Sequence, residues 1–318
     1  MNKRELALNR SKFYQDIRNF FNGLDYVEIE TPILSTSLIP ESAIEVFESQ
    51  RVLSDGRCEP LFLTPSPEIY MKTLISEGIG DCYQLTKSFR NLEDASQKHA
   101  NEFTMLEWYA MNFNYKDNIK VTQNLLRQLA PKASDATRHL FTDFIEVTMH
   151  ELFHDYVNID LAQAETLAQL QNQARKAGFS EYVDKSLTWG ELFNFIFVAH
   201  IERQLPADKT VFVTNYPVQI PTTAKRNASH YERWELYMQG WEIANCYTEE
   251  ARYDAMFDLF KQEAQLKLKM KVPHPVNYEY LNIFKNNAFP QCSGVALGVD
   301  RLFAVLQNAA SLDEVSLI

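Results

Sequence analysis

Cysteine is scarce in this chain, and acidic residues outnumber basic ones. The 318 residues include four cysteines and no CxxC pair, which argues against a zinc site or a disulfide framework and is typical of a reducing cytosol. There are 42 acidic and 31 basic residues, and the net charge is −11. A broad electrostatic surface for nucleic acid is therefore not expected, while a local basic patch stays open.

Long apolar runs, repeats and low-complexity segments are missing as well. The longest apolar run, near Leu192–Ala199, is too short to span a bilayer, and the polar N-terminus has no apolar signal core. The chain is 46% hydrophobic, which is enough for a large core, and no Gly/Ser linker divides it. We expect a cytoplasmic protein without a membrane segment, folded as one large domain or two poorly separated ones.

The stretch Asp81–Met111 predicts two strands joined by a long polar loop. Alternate residues of a strand share a face, so counting by twos gives two sets. They are Gln84, Thr86, Ser88 and Arg90 on the first strand, and Phe103, Met105, Glu107 and Tyr109 on the second. This mixture suits a ligand with phosphate, a flat base and an amine, whereas a packing face would be apolar. Taken alone, Arg90 and Glu107 could equally form an ordinary cross-strand ion pair.

The N-terminal region predicts one helix followed by one strand. Apolar residues recur at helical spacing from Phe13 to Phe21, and Gly23 can end the helix. A strand-like run over Val27–Leu34 follows, and its proline indicates an edge or an interface. Residues 35–60 look irregular.

A second helix is predicted over Leu63–Gly78, which reads LTPSPEIYMKTLISEG. Ser66 can cap it, Pro67 suits its first position, and Glu68 complements its positive end. Ser66 and Glu68 either serve only as capping residues or line a pocket at that end of the helix.

A second hairpin is predicted over Arg233–Glu250, with its turn at Gln239–Gly240. Asn245, Tyr247 and Glu249 share one face, and Glu242 is out of phase with them, so a bulge must realign Glu242 if it serves the same pocket. Four carboxylates lie near this turn: Glu235, Glu242, Glu249 and Glu250. They either form a solvated rim or hold Mg²⁺, which favours oxygen ligands and bridges substrate phosphates.

The segment Cys292–Leu306 predicts a glycine-spaced strand that runs into a helix near Asp300–Arg301. Gly294 and Gly298 allow close backbone approach, and Arg301 lies where a phosphate would meet a helix start. The segment is neither a Walker loop nor a GxGxxG turn.

Residues 116–204 read as mainly helical, and we interpret them as an insertion with a structural role. A capping box at Thr188–Glu191 precedes an apolar run. The histidines of this region, His150, His154 and His200, lack a convincing metal-ligand set, and packing or surface roles are the simpler interpretation.

Together these segments resemble the three motifs of class II aminoacyl-tRNA synthetases. The first motif is a helix followed by VEIETP, the second is SFRN…HANEFTMLEWY, and the third is SGVALGVDRL. With SPEIYMK and WEIANCYTEE added, the chain is similar to the lysyl branch from about residue 10 to residue 308. The resemblance implies an α+β fold with an antiparallel β-sheet flanked by helices. It also implies one catalytic domain over residues 1–318 with a helical insertion around 116–204, a homodimer, and acyl-adenylate chemistry with ATP and Mg²⁺.

Within that branch, the chain most resembles the elongation factor P β-lysine ligases. Only about ten residues precede the first helix, so the resemblance implies no anticodon-binding domain. Members of that family activate (R)-β-lysine with ATP and transfer it to a lysine side chain of elongation factor P. Ser66 stands where lysyl-tRNA synthetases usually have Ala, and Ala296 where they usually have Gly. Both positions belong to the amino-acid pocket of the family.

The resemblance also implies a role for each motif residue. Arg90 would bind the α-phosphate and Arg301 the γ-phosphate, Phe103 would stack on adenine, and His99 would lie near the γ-phosphate. Mg²⁺ would be held by Glu235 and Glu242. The residues around the lysine-like substrate would be Ser66, Glu68, Glu107, Tyr109, Asn245, Glu249 and Ala296.

This chain departs from the family pattern in the second motif. Leu92 replaces a Glu, and Glu93 follows one place later, so an adenine contact is shifted or lost. The segment Asn215–Asn227 looks more like lysyl-tRNA synthetases than like the elongation factor ligases. Three functions therefore stay open: a ligase for elongation factor P, a free-standing enzyme that loads another carrier protein or a tRNA, and a non-catalytic paralogue. The acidic balance counts against tRNA.

Overall fold

The computed structural model of the protein describes residues 2–92, 97–183 and 186–318. Glu93, to which the sequence assigned a shifted adenine contact, lies outside these ranges. Along the described chain the strands are β1 (Val27–Glu28), β2 (Leu34–Ser35), β3 (Glu48–Val52), β4 (Cys58–Leu63), β5 (Cys82–Phe89), β6 (Glu102–Met111), β7 (Phe144–Thr148), β8 (Thr210–Pro217), β9 (His230–Met238), β10 (Trp241–Thr248) and β11 (Cys292–Gly298).

The α-helices of the described residues alternate irregularly with these strands. They are α1 (Lys3–Asn22), α2 (Glu68–Ser76), α3 (Tyr115–Leu129), α4 (Met149–Val157), α5 (Leu167–Lys176), α6 (Ser180–Val183), α7 (Trp189–Ile196), α8 (Tyr253–Lys267) and α9 (Val299–Leu306). A π-helical turn over Phe197–Ile201 continues α7, and a kinked 3₁₀ segment over Tyr278–Asn287 precedes β11.

One eight-stranded sheet forms the centre of the fold, in the order β1-β5-β6-β11-β10-β9-β8-β7. The two outermost pairs, β1 with β5 and β7 with β8, are parallel, and the inner pairs are antiparallel. Both predicted hairpins form, and Gln239 and Gly240 make the second turn with φ values of 51° and 68°. The predicted α+β fold with an antiparallel sheet and flanking helices is confirmed.

The two faces of this sheet differ in chemistry because side chains alternate along each strand. One face packs against α1, α3 and α9 through buried apolar residues such as Leu106, Trp108, Trp234, Val295 and Leu297. The other face, over the central strands, carries the polar sets expected from the sequence. Packing on one side thus leaves the opposite face open for a ligand.

Three local predictions were wrong. Residues 35–60 are not irregular throughout, because β3 pairs with β4 in a separate three-stranded sheet that also includes β2. Ser66 does not cap α2: the helix begins at Glu68, and Pro67 before it makes no side-chain capping bond. The strand predicted over Val27–Leu34 is divided between the two sheets.

Residues 116–204 are largely helical as observed, and they also supply β7 to the edge of the main sheet. The capping box at Thr188–Glu191 is present, with both reciprocal hydrogen bonds formed. The helices α4, α5 and α7 pack on the β8 end of the sheet in a second apolar cluster. This packing brings the last turns of the segment over the open face.

Candidate active site

Two adjoining cavities lie on the open face of the sheet. The larger has a volume of about 530 Å³ and the smaller of about 120 Å³. Four residues line both of them: Arg90, Glu242, Asn245 and Ala296. The cavities therefore meet over the central strands. Two molecules that react with each other could bind side by side, one in each cavity.

Strand register explains why polar residues from distant segments meet here. Glu107 lies opposite Gln84 on β5 and opposite Ala296 on β11. Ala296 in turn pairs with Asn245, and Asn245 with Glu235 on β9. One row across five strands thus carries two amides and two carboxylates on the open face. Within the described residues no ion pair joins Arg90 to Glu107, so the cross-strand pair considered from the sequence is wrong.

A bulge realigns Glu242 with this row. The register of β10 against β9 shifts between Glu242 and Ala244, so one extra residue stands on β10. Glu242 consequently lines both cavities beside Asn245. The bulge that the sequence required for Glu242 to share the pocket is confirmed.

The smaller cavity collects aromatic and cationic groups. Its lining includes Arg90, Phe103 and Arg301, and the guanidinium of Arg90 lies 5.4 Å from the ring centre of Phe103. Arg301 donates from Nε to the carbonyl oxygen of Lys98 at 3.0 Å and from Nη1 to that of Glu242 at 2.9 Å. Two arginines that are far apart in the sequence therefore line one cavity together with an aromatic ring.

The start of α9 is anchored by Asp300, next to Arg301. The Asp300 carboxylate accepts a hydrogen bond from the backbone N–H of Thr104 at 2.6 Å and forms an ion pair with Arg10 of α1. Because these bonds tie α9 to β6 and α1, they fix the direction in which Arg301 leaves the helix.

Glu235 and Glu242 lie on adjacent strands, β9 and β10, at this end of the site. Glu235 accepts hydrogen bonds from Arg233 and from the Tyr237 hydroxyl, the latter at 2.6 Å. The side chain of Glu242 keeps 42% of its surface accessible because it faces the cavity. Desolvation of this partly buried carboxylate and the charge of Glu235 together raise its pKa to about 7.

The chemistry of this carboxylate pair fits a magnesium ion. Oxygen ligands suit Mg²⁺, which proteins usually bind through one or two carboxylates plus substrate phosphates. A divalent cation would relieve the repulsion that raises the pKa of Glu242. In the described ranges no cluster of three or more His, Cys, Asp or Glu residues offers a complete metal cage. The pair is therefore suited to a metal that arrives with a phosphate ligand.

The larger cavity is rich in hydrogen-bond acceptors. Glu107 is 2% exposed; its Oε1 accepts from the Tyr109 hydroxyl at 2.7 Å, while Oε2 has no hydrogen-bond partner within the described chain. Burial first, and the charge of Glu68 second, raise the pKa of Glu107 to about 8. The buried Oδ1 of Asn245 also lacks a partner among the described residues. Unpaired buried acceptors are costly, so this cavity calls for a ligand that donates hydrogen bonds.

The remaining predicted residues are also placed by the structure. Ser66, Glu68, Glu249 and Ala296 line the larger cavity. Glu68 and Glu249 both form ion pairs with Lys72. His99 is exposed and does not line either cavity, although its neighbour Ala100 lines the smaller one.

Sequence reasoning missed several lining residues. They are Glu41 before β3, Phe193 and Phe197 at the end of α7, and Glu202 just beyond. The last turns of residues 116–204, for which the sequence predicts a structural role, thus also line this cavity. Phe193 and Phe197 are four residues apart, as core residues of a helix would be, so no local signal separated them from packing residues.

Two general properties complete the description. All four cysteines are free thiols, and Cys58 alone is exposed. Among the described helices, none combines the length and apolar character that crossing a lipid bilayer requires.

Comparison with known families matches residues 2–318 to the family described as tRNA synthetases class II (D, K and N). The chain belongs to this family, and the resemblance drawn from its motifs is confirmed. The elongation factor P–(R)-β-lysine ligase of Yersinia pestis (strain Pestoides F) is 32% identical to it over 314 residues, which cover 97% of this chain and 93% of the relative. The ligase of the same name from Yersinia pseudotuberculosis (serotype O:1b, strain IP 31758) matches with the same identity and coverage.

Proposed function

We propose that this protein is an ATP-dependent ligase that activates a lysine-like amino acid and transfers it to elongation factor P. The favoured amino acid is (R)-β-lysine, and the acceptor is a lysine side chain. Similarity to relatives named for this reaction, over nearly the whole chain, supports the proposal. The observation that carries it is the junction of a cavity facing two arginines with a cavity of buried, unpaired acceptors.

The proposed reaction has two steps. The amino-acid carboxylate attacks the α-phosphorus of ATP, a new O–P bond forms, and pyrophosphate leaves with the electrons of the broken bond. The unprotonated amine of the acceptor lysine then attacks the acyl carbon, an amide bond forms, and AMP leaves. Neither step requires a nucleophile from the protein, so positioning and charge stabilisation are its main tasks.

The residues of the smaller cavity would perform the phosphate part of this task. Arg90 would stabilise charge on the α-phosphate during attack, Arg301 would bind the γ-phosphate, and Phe103 would stack on the adenine. His99 would approach the γ-phosphate from the loop between β5 and β6. Glu235 and Glu242 would hold Mg²⁺, which would supply positive charge that offsets part of the charge of the phosphates.

The larger cavity would hold the amino acid. Ammonium groups donate hydrogen bonds, and carboxylate acceptors bind them through charge-assisted bonds of about 1.5–3 kcal/mol each. The acceptors are Glu68, Glu107, Asn245 and Glu249, and Tyr109 supplies a hydroxyl beside them. Ser66 and Ala296 would shape the space in which the α- or β-position of the amine is distinguished.

We also propose that the chain acts in the cytoplasm as a homodimer with one catalytic domain, in which 116–204 is an insertion. Free thiols favour a reducing compartment. Exposed apolar residues surround the short edge strand β1, namely Leu24, Val27, Ile33 and Leu34. Such a patch at a sheet edge is suited to a partner subunit. Light scattering of the purified protein measures the mass directly.

The acceptor has one alternative that a specific observation favours. Segment Asn215–Asn227 resembles lysyl-tRNA synthetases, so the enzyme could load another carrier or a tRNA. The net charge of −11 counts against tRNA. Incubation with elongation factor P, ATP and the amino acid, followed by mass spectrometry, separates the acceptors: an unmodified factor despite active adenylation contradicts the proposed one.

Pyrophosphate exchange tests the activation step. Each assay contains ATP and one amino acid, which is α-lysine, (R)-β-lysine, (S)-β-lysine or ornithine. Each is run once with Mg²⁺ and once with EDTA in its place. We expect Mg²⁺-dependent exchange with at least one lysine-like amino acid, and no exchange with any of them would identify a non-catalytic paralogue instead.

Replacement of Arg90 tests the phosphate assignment within the same assay. We expect Arg90→Ala to lower exchange on the order of 10²–10³-fold, because it removes charge stabilisation in the transition state. Arg51→Ala is the matched control, since Arg51 lies on β3 in an exposed ion pair with Glu59. Full activity of Arg90→Ala would show that the assignment is wrong.

A further inference from the structure

A buried lysine lies directly behind the acceptors of the larger cavity. Lys72 of α2 is 1% exposed, and its ammonium contacts Glu68 Oε1 at 2.6 Å and Glu249 Oε2 at 2.5 Å. Glu68 and Glu249 line the cavity, whereas Lys72 is outside its lining. The lysine therefore contacts both carboxylates although it does not itself line the cavity.

The three groups come together from separate parts of the fold. Glu68 and Lys72 are one helical turn apart on α2, in the spacing that favours an ion pair. Glu249 follows β10 and reaches the same ammonium from the sheet. Burial alone would lower the pKa of Lys72, but the charges of Glu249 and Glu68 outweigh burial and hold that pKa well above its ordinary value. Lys72 is thus a permanent cation.

Other titratable groups face this ion cluster from every neighbouring element. The titratable groups around the Lys72 ammonium are Glu68 of α2, Glu107 and Tyr109 of β6, Glu249 after β10, Tyr280 of the 3₁₀ segment and Cys292 of β11. The phenols and the thiol are neutral near pH 7, because burial raises each of their pKa values. The charge of the cluster is therefore set by Lys72 and the three carboxylates.

We propose that Lys72 is a positioning residue that fixes Glu68 and Glu249 and sets the charge of the amino-acid pocket. Glu107, whose pKa is raised to about 8, carries a proton near pH 7 before a ligand binds. Once a bound ligand displaces that proton, three carboxylates and one ammonium leave two formal negative charges. A diamino acid carries two ammonium groups and matches that number, whereas a monoamino acid leaves one charge uncompensated. This inference rests on the proposed function, since it assumes that the larger cavity receives the amino acid.

A positioning role for Lys72 has consequences for amino-acid binding that a role in fold stability alone would not have. Without its ammonium, the carboxylates of Glu68 and Glu249 repel each other, and Glu249 takes up a proton more readily, because Lys72 lowers the pKa of Glu249. The amino acid would then bind less productively, and its binding would need a higher pH. ATP, which occupies the other cavity, would be unaffected.

The principal test is Lys72→Met, which keeps the length of the side chain and removes its charge. We expect kcat/KM for the amino acid in pyrophosphate exchange to fall about 100-fold, with KM for ATP changed less than about threefold. The acidic limb of the pH profile of kcat/KM for the amino acid should move to higher pH. An unchanged kcat/KM for the amino acid, or an equal loss of affinity for ATP, would overturn the proposal.

Chemical rescue provides a second readout that a purely structural role does not predict. Lys72→Ala opens a buried space beside two carboxylates, and added ethylammonium or propylammonium can occupy it. We expect at least about tenfold recovery of exchange with these amines and none with the isosteric neutral alcohols. Recovery with the alcohols alone would mean that packing, not charge, was lost.

Lys267→Met is the matched control. Lys267 of α8 is also 1% exposed, and its ammonium donates to the carbonyl oxygen of Ile44 and forms an ion pair with Glu45. Neither residue is predicted to bind the amino acid. We expect this variant to lose thermal stability while the acidic limb of the pH profile stays in place. A shift of the limb equal to that of Lys72→Met would refute a specific role for Lys72.

Two experimental results, an inactive unmodified protein and Lys72 variants that do not fold, would not by themselves contradict the positioning role of Lys72. If the unmodified protein shows no exchange with any amino acid, the proposed function fails first. If the Lys72 variants do not fold, ¹⁵N-lysine labelling of the unmodified protein replaces them. The two buried ammonium groups should then be visible at neutral pH, and one should shift with the diamino acid but not with ATP. Absence of that shift would overturn the proposal.

Discussion

Gly294 has the most crowded surroundings of the described glycines, and its replacement gives a sharp test of the amino-acid site. It lies on β11 between Tyr109 of β6 and Tyr247 of β10, directly opposite both in register. A Cβ atom built on Gly294 would be 2.3 Å from Cε1 of Tyr109 and 2.7 Å from Oε1 of Glu249. Only a residue without a side chain fits between these groups.

The cost of Gly294→Ala can be estimated from what would have to move. The backbone of Gly294 has no positive φ, so the effect is steric and not conformational. Tyr109 cannot shift freely because its hydroxyl donates to Glu107, and Glu249 is held by Lys72. Overpacking of a buried site typically costs about 1–3 kcal/mol, which corresponds to roughly 5- to 150-fold in an equilibrium constant.

We therefore expect Gly294→Ala to lower kcat/KM for the amino acid about 10- to 100-fold in pyrophosphate exchange, with KM for ATP nearly unchanged. Gly298→Ala on the same strand is the matched control for the amino-acid kinetics, because Gly298 lines only the smaller cavity and its Cβ would meet Arg301 at 3.7 Å, an ordinary contact. Unaltered amino-acid kinetics in Gly294→Ala would refute the assignment of Tyr109 and Glu249 to the amino-acid site. An equal effect on ATP would place the damage in the sheet itself.

Two further predictions concern stability and pH. Asn118 of α3 is fully buried, accepts a hydrogen bond from Trp108 and donates to the hydroxyl and carbonyl oxygens of Ser293. Asn118→Leu should therefore lower the free energy of unfolding in urea by about 2–4 kcal/mol. The control Asn124→Leu, at an exposed position of the same helix, should lower it by less than about 0.5 kcal/mol. The pKa of Glu107 is raised to about 8 from its ordinary 4.5, so the folded chain holds a proton that the unfolded chain loses, and this group's contribution to stability falls as pH rises from about 5 to 8. Binding of a diamino acid at pH 6.5 should therefore release protons, and the binding enthalpy measured by calorimetry should depend on the buffer. Glu107→Gln should reduce that release. A binding enthalpy that does not depend on the buffer would contradict the assignment of Glu107 to the amino-acid site.

Strand alternation made much of the site predictable from the sequence. The set from Gln84 to Arg90 and the set from Phe103 to Tyr109 share the open face, because a period of two is strict once a strand forms. The same strictness exposed Glu242 as out of phase and required the observed bulge. Local patterns sufficed here because each depends only on residues within one hairpin.

Other features depended on contacts that no local pattern contains. The strand β3 is wholly exposed and reads ESQRV, so it has no apolar face. The Asp55-Gly56 pair that follows it is a turn signal that the prediction of residues 35–60 as irregular did not use. Glu41 and Glu202 reach the larger cavity only through the packing of their segments on the sheet. Lys72 had one local signal, its spacing from Glu68, but its second partner lies far along the chain. Burial of a cation is a tertiary property and could not be read from the helix alone.

The two halves of the acidic site differ in how their charge is balanced. At the amino-acid end, Lys72 is a covalent part of the chain, so Glu68 and Glu249 are oriented before any ligand binds. At the phosphate end, the pKa of Glu242 stays near 7 despite Arg301 and Arg90, which lower it, because burial and Glu235 raise it more. That carboxylate pair, in which Glu235 already has Arg233 as an ion-pair partner, is therefore suited to a further cation. In the proposed reaction this cation would be Mg²⁺ bound with the nucleotide. Because Lys72 is a fixed cation, the affinity for the amino acid should not depend on Mg²⁺. Because the cation beside Glu242 would be exchangeable, the affinity for ATP should depend on Mg²⁺.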